Sequence, residues 1–299
     1  MTRHPVMSPW CPPVARPEGL PRSEWPFRTY AVPSGDCRLA ISEAGEGPVL
    51  LMVHVGTWSF IWRDLVLRLA DRFRCIFFDA PGTGQTEGPE RGAVSLERAA
   101  RAVAAVIDGL NLKEAILVAH DLGGPATLAA LTMTAMRVRG FVGMNTFGWR
   151  PTGAGLRGML AVMGSRTIRE IDVATGFLPR ISATAFGVGR HLDEAARATF
   201  RRGMDTRGRR SFHDYLRDAN HCDALYLKAG RALKGPLAHA PVLTVFGERN
   251  DPFGFQRRWK DLFPESRQVV VTKGNHFPMC DAPDFVAEAI EAWYRECVE

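Results

Sequence analysis

The strand-turn-helix pattern around Asp121 constrains the fold of this chain more than any other segment. The apolar run 115–118 predicts a short buried strand, and residues 125–131 predict the start of a helix. Small residues in the turn, including Gly123 and Gly124, allow the strand and helix backbones to approach closely. Asp121 therefore occupies the position at which such an elbow presents an attacking side chain.

The residue type at this position narrows the chemistry. A carboxylate that attacks a carbonyl group gives a reactive anhydride, whereas one that attacks an sp3 carbon bearing a leaving group gives an ordinary ester that water can cleave. Asp121 thus predicts the opening of a carbon–halogen bond or an epoxide. The structural alternative is a helix N-cap, a common role for aspartate at this position.

Two further residues follow in the order of a nucleophile–acid–histidine triad. Residues 241–246 predict a strand, and the polar loop after it contains Asp251, with Glu248 and Asn250 as competing candidates. Residues 268–271 predict the next strand, which ends at a loop containing His276. We expect His276 to be the base and Asp251 to be the acid that orients it, although an aspartate before proline is also a common turn former.

These residues predict a two-step mechanism. Asp121 displaces the leaving group and becomes an alkyl ester, and His276 then takes a proton from the water that attacks this ester. We expect the backbone N–H groups of Leu122 and Val55 to stabilise the oxyanion. The expected partners are a small organic substrate and water, with no metal and no organic cofactor.

The rest of the chain predicts an α/β fold. Strand and helix patterns alternate, with a clear helix over 96–110, as in a doubly wound and mostly parallel sheet. We assign this core to residues 27–147 and 237–299, and an inserted helical cap to residues 148–236. Residues 1–26 are rich in proline and predict an extended N-terminal arm.

The predicted cap is basic. Between Trp149 and Lys234 there are 16 Lys and Arg against 8 Asp and Glu, a net charge of +8 in a chain of net charge +6. A basic cap would attract an anionic substrate; the alternatives are a solvated surface or an arginine-mediated contact in a homodimer. Nucleic-acid binding is not predicted, because no aromatic stacking platform accompanies the arginines.

Several motifs together resemble the haloalkane dehalogenases of the α/β-hydrolase superfamily. The resemblance extends over nearly the whole chain from about residue 25 and is weak in the middle. It implies the α/β-hydrolase fold with an inserted cap. The segments that resemble the family are 25–27, 45–48, 54–63, 79–84, 118–125 and 144–147.

The chain also departs from that family. Its members hold the leaving halide with side-chain N–H donors, commonly a tryptophan directly after the nucleophile, where this chain has Leu122. The loop after His54 is one residue shorter and has no asparagine. Trp58 or Trp149 could supply an indole N–H instead, but packing roles are favoured for both. Asn145 occupies the place where some members have the triad acid, which favours Asp251 for that role.

Epoxide hydrolases share the Asp nucleophile and use cap tyrosines to protonate the opening alkoxide. Tyr215 and Tyr226 are the tyrosines in the predicted cap, and they are candidate pocket residues together with His54 and His120. An epoxide hydrolase is therefore the alternative to a dehalogenase. A third alternative is a binding protein that kept the fold and lost turnover.

Composition agrees with a soluble, cytoplasmic enzyme. Hydrophobic residues make up 46% of the chain and charged residues 23%, and no apolar run approaches the ~20 residues of a membrane span. The first residues show no apolar signal segment. The six cysteines are scattered without the spacing of metal ligands, which favours a reducing compartment.

Overall fold

The computed structural model describes residues 13–15, 20–88 and 94–299. Eight strands form one sheet in the order β1-β2-β4-β3-β5-β6-β7-β8. β2 pairs antiparallel with β1 and with β4, and all other neighbouring strands pair parallel. The predicted α/β fold with a mostly parallel sheet is confirmed. The strands are β1 (Arg28–Ser34), β2 (Cys37–Ala44), β3 (Val49–Val55), β4 (Arg74–Phe78), β5 (Glu114–Asp121), β6 (Arg137–Met144), β7 (Val242–Gly247) and β8 (Arg267–Val271).

Twelve α-helices lie within the described residues, and a 3₁₀ turn, Ser59–Trp62, precedes the first. The predicted helix over 96–110 is present as the second of them, with the Ser95 side chain accepting a hydrogen bond from the Arg98 N–H at its start. The helices are α1 (Arg63–Leu69), α2 (Leu96–Gly109), α3 (Gly123–Ala130), α4 (Ala154–Met163), α5 (Arg166–Thr175), α6 (Phe177–Ser182), α7 (Glu194–Gly203), α8 (Thr206–Ala219), α9 (Asp223–Lys234), α10 (Phe255–Leu262), α11 (Pro278–Asp281) and α12 (Pro283–Cys297).

The central strands are buried on both faces. In β3, Leu51 and Val53 pack toward α2, α3 and α9, while Leu50 and Met52 pack toward α1 and α12. A strand that is covered on both faces needs a continuous apolar run, because successive side chains point to opposite faces. This explains why the central strands contain so few polar residues. The polar residues lie instead in the loops at the carboxyl ends of the strands.

Six helices, α4 to α9, lie between β6 and β7. The last of them, α9, packs against α3 and so belongs to the layer that covers the sheet. The others lie over the carboxyl ends of the strands. Among the contacts that attach them to the core, the Arg207 guanidinium donates to the carbonyl oxygens of Thr86 and Gly84 at 2.7 and 2.9 Å, and the Trp58 indole N–H donates to the Phe200 carbonyl at 3.0 Å.

The last part of the predicted N-terminal arm is packed into the core. Trp25 is buried and stacks on Trp58 at 5.4 Å between ring centroids, with Phe27, Phe60 and Phe77 around it. Proline content indicated an extended segment but gave no signal for a buried aromatic side chain at its end. Residues 1–12 and 16–19 of the predicted arm lie outside the described residues.

A helix that crosses a bilayer must be both long and apolar. None of the helices in the described ranges combines the length and the apolar character that crossing a membrane requires.

Candidate active site

Asp121 lies at the last position of β5, with a left-handed backbone at φ 51°. This conformation is uncommon outside glycine, and aspartate and asparagine tolerate it better than most residues. The turn requires its glycines: a Cβ at Gly123 would overlap the Val53 carbonyl oxygen, and one at Gly124 would overlap the Thr146 hydroxyl. The Thr146 hydroxyl donates to the Asp121 carbonyl oxygen at 2.5 Å and holds the turn in place. The structure therefore has the elbow geometry that the sequence predicts.

His276 lies in the loop after β8, and its side chain approaches Asp121. Its Nε2 is 3.6 Å from the Asp121 Oδ2, and both side chains are partly exposed to an internal cavity. The two residues are 155 positions apart in the chain and meet because parallel strands end at the same edge of the sheet. The structure thus brings together the predicted nucleophile and the predicted base.

The predicted orienting acid is elsewhere. The Asp251 carboxylate accepts hydrogen bonds from the backbone N–H groups of Phe255 at 2.7 Å and Gln256 at 3.0 Å, at the start of α10. Burial raises the pKa of Asp251, and these hydrogen bonds partly oppose that rise. The group on the His276 Nδ1 is instead the Asn250 Oδ1, at 2.8 Å. The assignment of Asp251 as the partner of His276 was therefore wrong.

The sequence contained a signal for this correction. An aspartate shortly before a helix is a preferred source of capping hydrogen bonds, and Asp251 precedes the first residue of α10 by four positions. Asn250 was one of the competing candidates in the loop. A carboxylate is the usual partner of a catalytic histidine, and this chain does not follow that preference.

Asn145 fixes the orientation of Asn250. The Asn145 Oδ1 accepts from the Gly247 N–H at 2.8 Å, so its Nδ2 must face the other way. There the Nδ2 donates to the Asn250 Oδ1 at 2.8 Å and to the Asn250 carbonyl at 2.9 Å. The place where some members of the family have the triad acid and the position that contacts the His276 Nδ1 therefore both hold amides, and the two amides contact each other.

A pair of buried histidines supports the loop of His276. The Thr57 N–H donates to the His54 Nε2 at 3.1 Å, so the proton of a neutral His54 sits on Nδ1 and is directed to the His120 Nδ1 at 3.0 Å. The His120 Nε2–H then donates to the His276 carbonyl at 2.8 Å. Burial lowers the pKa of His54 to about 3 and that of His120 well below its usual value. Both rings are thus neutral, and His120 holds His276 through its backbone.

The two residues predicted for the oxyanion site flank Asp121. Val55 is the last residue of β3 and lies beside Asp121 in the parallel pairing of β3 with β5. Leu122 precedes α3, and its side chain lines the cavity. The sequence placed Val55 in a loop next to the elbow, and the structure places it at the end of the strand.

The cavity next to Asp121 has a volume of about 390 Å³. Polar groups lie on the side of the strand ends, and apolar side chains from α4, α6 and α8 form the opposite side. No arginine or lysine of the described residues lines it. The side chains from these helices are Leu156, Met159, Leu160, Met163, Leu178, Ser182, Phe212 and Leu216.

Five predicted pocket residues do not line this cavity: Trp58, His120, Trp149, Tyr215 and Tyr226. The Trp58 N–H is bonded to Phe200, and Trp149 lies in a separate cleft, where Arg258 stacks on its ring. The hydroxyl of Tyr215 donates to the Pro81 carbonyl and that of Tyr226 to the Ala219 carbonyl, both buried. His54 lines the cavity, and His120 lies behind it. No tryptophan or tyrosine of the described residues lines the cavity.

Ligands for a metal ion would come from His, Cys, Asp or Glu side chains that lie close together. Within residues 13–15, 20–88 and 94–299, no three His, Cys, Asp or Glu side chains are arranged to hold an ion. The chemistry available at the site is that of a carboxylate, an imidazole and neighbouring amides.

This fold and site define an α/β hydrolase, and residues 50–289 match the Alpha/beta hydrolase family. The chain belongs to that family. It is similar to "Haloalkane dehalogenase 2" of Mycobacterium tuberculosis, with 28% identity over 89% of this chain and 94% of that protein. It is also similar to "Cis-3-alkyl-4-alkyloxetan-2-one decarboxylase" of Shewanella oneidensis, with 24% identity over 91% and 89%.

A solved structure shows the same fold. The epoxide hydrolase CorEH superposes with a TM-score of 0.72 and 16% identity, covering 90% of this chain and 98% of that one. Its similarity to this chain is one of architecture alone. The relatives therefore include enzymes that act on different substrates.

Proposed function

We propose that this chain opens a carbon–halogen bond by forming an alkyl ester on Asp121. The observation that supports this most strongly is the Asp121 carboxylate at a strained elbow, 3.6 Å from His276 and facing an apolar cavity. A carboxylate in such a cavity is poorly solvated and positioned to attack an apolar sp3 carbon. The similarity to haloalkane dehalogenase 2 favours a halide as the leaving group.

The cycle has two half-reactions. In the first, an oxygen of Asp121 bonds to the substrate carbon and the halide departs with the electrons of the broken bond. In the second, His276 takes a proton from water, the hydroxide attacks the ester carbonyl, and the backbone near Leu122 and Val55 stabilises the oxyanion. The alcohol leaves and the Asp121 carboxylate is regenerated.

The leaving group has few donors. The lining side chains that can donate a hydrogen bond are Thr57, Ser182, Asn145, Asn250 and His276, and none is an indole or a phenol. Because one well-placed donor can lower a barrier by about 3 kcal/mol, a site with weak donors favours halides that leave easily. We expect iodides and bromides to react much faster than chlorides.

Epoxide hydrolysis is less well supported. Ring opening produces an alkoxide, which must receive a proton from a nearby acid. Both tyrosines that could serve from the helices are bonded to backbone carbonyls outside the cavity. Neither Tyr215 nor Tyr226 is therefore placed to protonate the alkoxide.

A second candidate is decarboxylation of an oxetan-2-one, which the similarity to the Shewanella enzyme suggests. Asp121 would attack the sp3 ring carbon that bears the ring oxygen. Cleavage of that C–O bond would leave a carboxylate on the adjacent carbon. Loss of CO₂ would then form a C=C bond and expel Asp121. This sequence needs no halide donor, no water and no acidic partner for His276, which agrees with what lines the cavity.

Intact-protein mass on His276→Phe tests these proposals. Incubation with a 1-bromoalkane should add one alkyl group, and Asp121→Asn, whose asparagine tolerates the left-handed turn, should abolish the adduct. A cis-3,4-dialkyl-oxetan-2-one should instead give alkene and CO₂ in both the wild type and His276→Phe. An adduct with the full mass of an epoxide would overturn the preference for halides, and no product from any substrate would favour a binding protein.

A further inference from the structure

We propose that Asn250 is a positioning residue that gives the His276 Nδ1 a neutral amide in place of a carboxylate, and that hydrolysis of the Asp121 ester is therefore the slow half of the cycle. This inference rests on the proposed function, because it concerns the fate of the ester formed there. It differs from what the resemblance implies, which is a carboxylate next to the histidine.

The hydrogen bonds set the tautomer of His276. The Asn145 Oδ1 is occupied by the Gly247 N–H, so its Nδ2 faces Asn250. The Asn250 Oδ1 consequently accepts from both Asn145 and the His276 Nδ1. The proton of neutral His276 must then lie on Nδ1, which leaves the Nε2 lone pair on the side of Asp121. Asn250 thus prepares His276 to act as a base.

Asn250 does not stabilise the charge that follows. When His276 takes a proton it becomes an imidazolium, and a carboxylate would attract this charge more strongly than the neutral amide of Asn250 does. The acids in this region have other partners. Asp251 accepts from the start of α10, Asp281 is paired with Arg190 at 3.0 Å, and Glu248 accepts from the Lys273 N–H at 2.7 Å.

The two half-reactions respond differently to this arrangement. Attack by Asp121 on the substrate involves no proton transfer to His276. Hydrolysis of the ester does, and general base catalysis contributes about 10²- to 10⁴-fold when it is fully effective. The ester should therefore form quickly and be released slowly, so that it accumulates on the wild-type enzyme.

Asn250→Asp gives a direct test. A carboxylate at this position can accept both hydrogen bonds that the Asn250 Oδ1 accepts now, and no hydrogen bond of the Asn250 Nδ2 is found among the described residues. The substitution should therefore preserve the network while adding the missing charge. We expect ester hydrolysis to become at least ~10-fold faster, because the imidazolium is then paired.

The measurement is pre-steady-state release of bromide from a 1-bromoalkane, with intact mass at each time. The wild type should show a burst close to one bromide per site followed by a slow phase, with the alkylated protein as the main species. Asn250→Asp should lose the burst. Its pH for half-maximal hydrolysis should move upward, because a carboxylate favours the protonated imidazole.

Two variants control for charge. Asn250→Asp/Asp251→Asn keeps the net charge of the loop and should show the same acceleration. Asn145→Asp adds the same charge but turns a carboxylate oxygen toward the oxygens of Asn250, and should give no acceleration.

The outcomes separate the two proposals. A wild type that becomes alkylated but shows no burst, with Asn250→Asp no faster, overturns this inference and leaves the alkyl ester intact. Equal acceleration in Asn145→Asp also overturns it, because the effect would then be one of charge alone. If no adduct forms on the wild type or on His276→Phe, the proposed function fails and this inference fails with it.

Discussion

The two sides of the cavity next to Asp121 differ in the kinds of side chain that form them. The floor contains the polar residues at the strand ends, Asp121, Asn145, Asn250, His54 and His276, next to phenylalanines such as Phe246 and Phe277, and the roof consists of the side chains from α4, α6 and α8. The floor is held by short hydrogen bonds between loops that follow different strands. The roof contributes mainly apolar contacts. Reactivity therefore depends on the floor, and substrate size and shape depend on the roof.

Each side also has its own buried histidine network, and the two differ in the groups that they contain. In the floor, His54 and His120 are neutral and pass one hydrogen bond along. In the roof, the His213 Nδ1 contacts the Met163 carbonyl at 2.6 Å and its Nε2 contacts Asp172 at 3.2 Å. Both nitrogens of His213 face oxygen acceptors, and the Asp172 carboxylate also accepts from the Leu178 N–H at 2.8 Å. The floor network is therefore made of neutral rings, whereas the roof network contains a buried carboxylate.

The largest effect should come from breaking the roof network. Asp172→Ala leaves the His213 Nε2 and the Leu178 N–H without the carboxylate, and we expect a loss of about 3–5 kcal/mol in the free energy of unfolding. Asp172→Asn should lose less than about 1 kcal/mol, because an amide can accept from Leu178 and donate to a neutral His213. Urea unfolding at pH 7 measures both. Equal losses in the two variants would show that the charge itself is required.

The floor should respond to acid with a smaller effect. Burial holds the pKa of His54 at about 3, against about 6.5 in the unfolded chain. The unfolded state therefore binds more protons between these values, and the contribution of His54 to stability is complete above pH 6.5 and falls as the pH drops toward 3. From pH 7 to pH 5 the loss due to this residue is about 2 kcal/mol.

His54→Gln tests the assignment of that loss. A glutamine amide can accept from Thr57 and donate to His120, but it does not titrate in this range. The stability of the variant should fall by about 2 kcal/mol less than that of the wild type between pH 7 and pH 5. Parallel curves for the two proteins would contradict the neutral state assigned to His54.

The smallest effect should come from trimming the roof. Met159 lines the cavity from α4 and is 45% exposed, so Met159→Ala removes apolar contact with little change in packing. For a long 1-bromoalkane we expect KM to rise about three- to tenfold, since each buried methylene contributes about 0.8 kcal/mol, while kcat stays within about twofold. Steady-state kinetics on bromoalkanes of increasing length provides the measurement. A fall in kcat without a change in KM would show that Met159 affects the reaction itself. That result would contradict the division of roles between floor and roof.

The sequence was informative about the floor and much less so about the roof. Asp121 and His276 were predicted because strand and turn patterns are local, and parallel strands must end at a common edge. Asn250 was missed as the partner of His276 because one position along a loop decides which side chain faces the histidine. Loop conformation of that kind depends on nonlocal bonds, here those of Asn145 and of the start of α10.

The roof could not be predicted for a different reason. Helical periodicity indicates that a face of each helix is buried, but it does not distinguish a face on the cavity from a face on the core. Tyr215 and Tyr226 are candidate pocket residues in the sequence because epoxide hydrolases use cap tyrosines, and both are buried against backbone carbonyls elsewhere. Only the three-dimensional packing of α8 and α9 separates these possibilities.

The loop after β6 has a consequence for protein engineering. Asn145 fixes the partner of His276, the adjacent Thr146 holds the turn of Asp121, and the Trp259 indole N–H donates to the Thr146 carbonyl at 2.8 Å. Nucleophile and base thus share a support of two consecutive residues. Libraries that randomise this loop should yield mostly inactive clones, whereas libraries confined to α4 and α6 should yield active clones with altered substrate ranges. The loop after β6 is best transplanted whole, together with α10, when this site is moved to another scaffold.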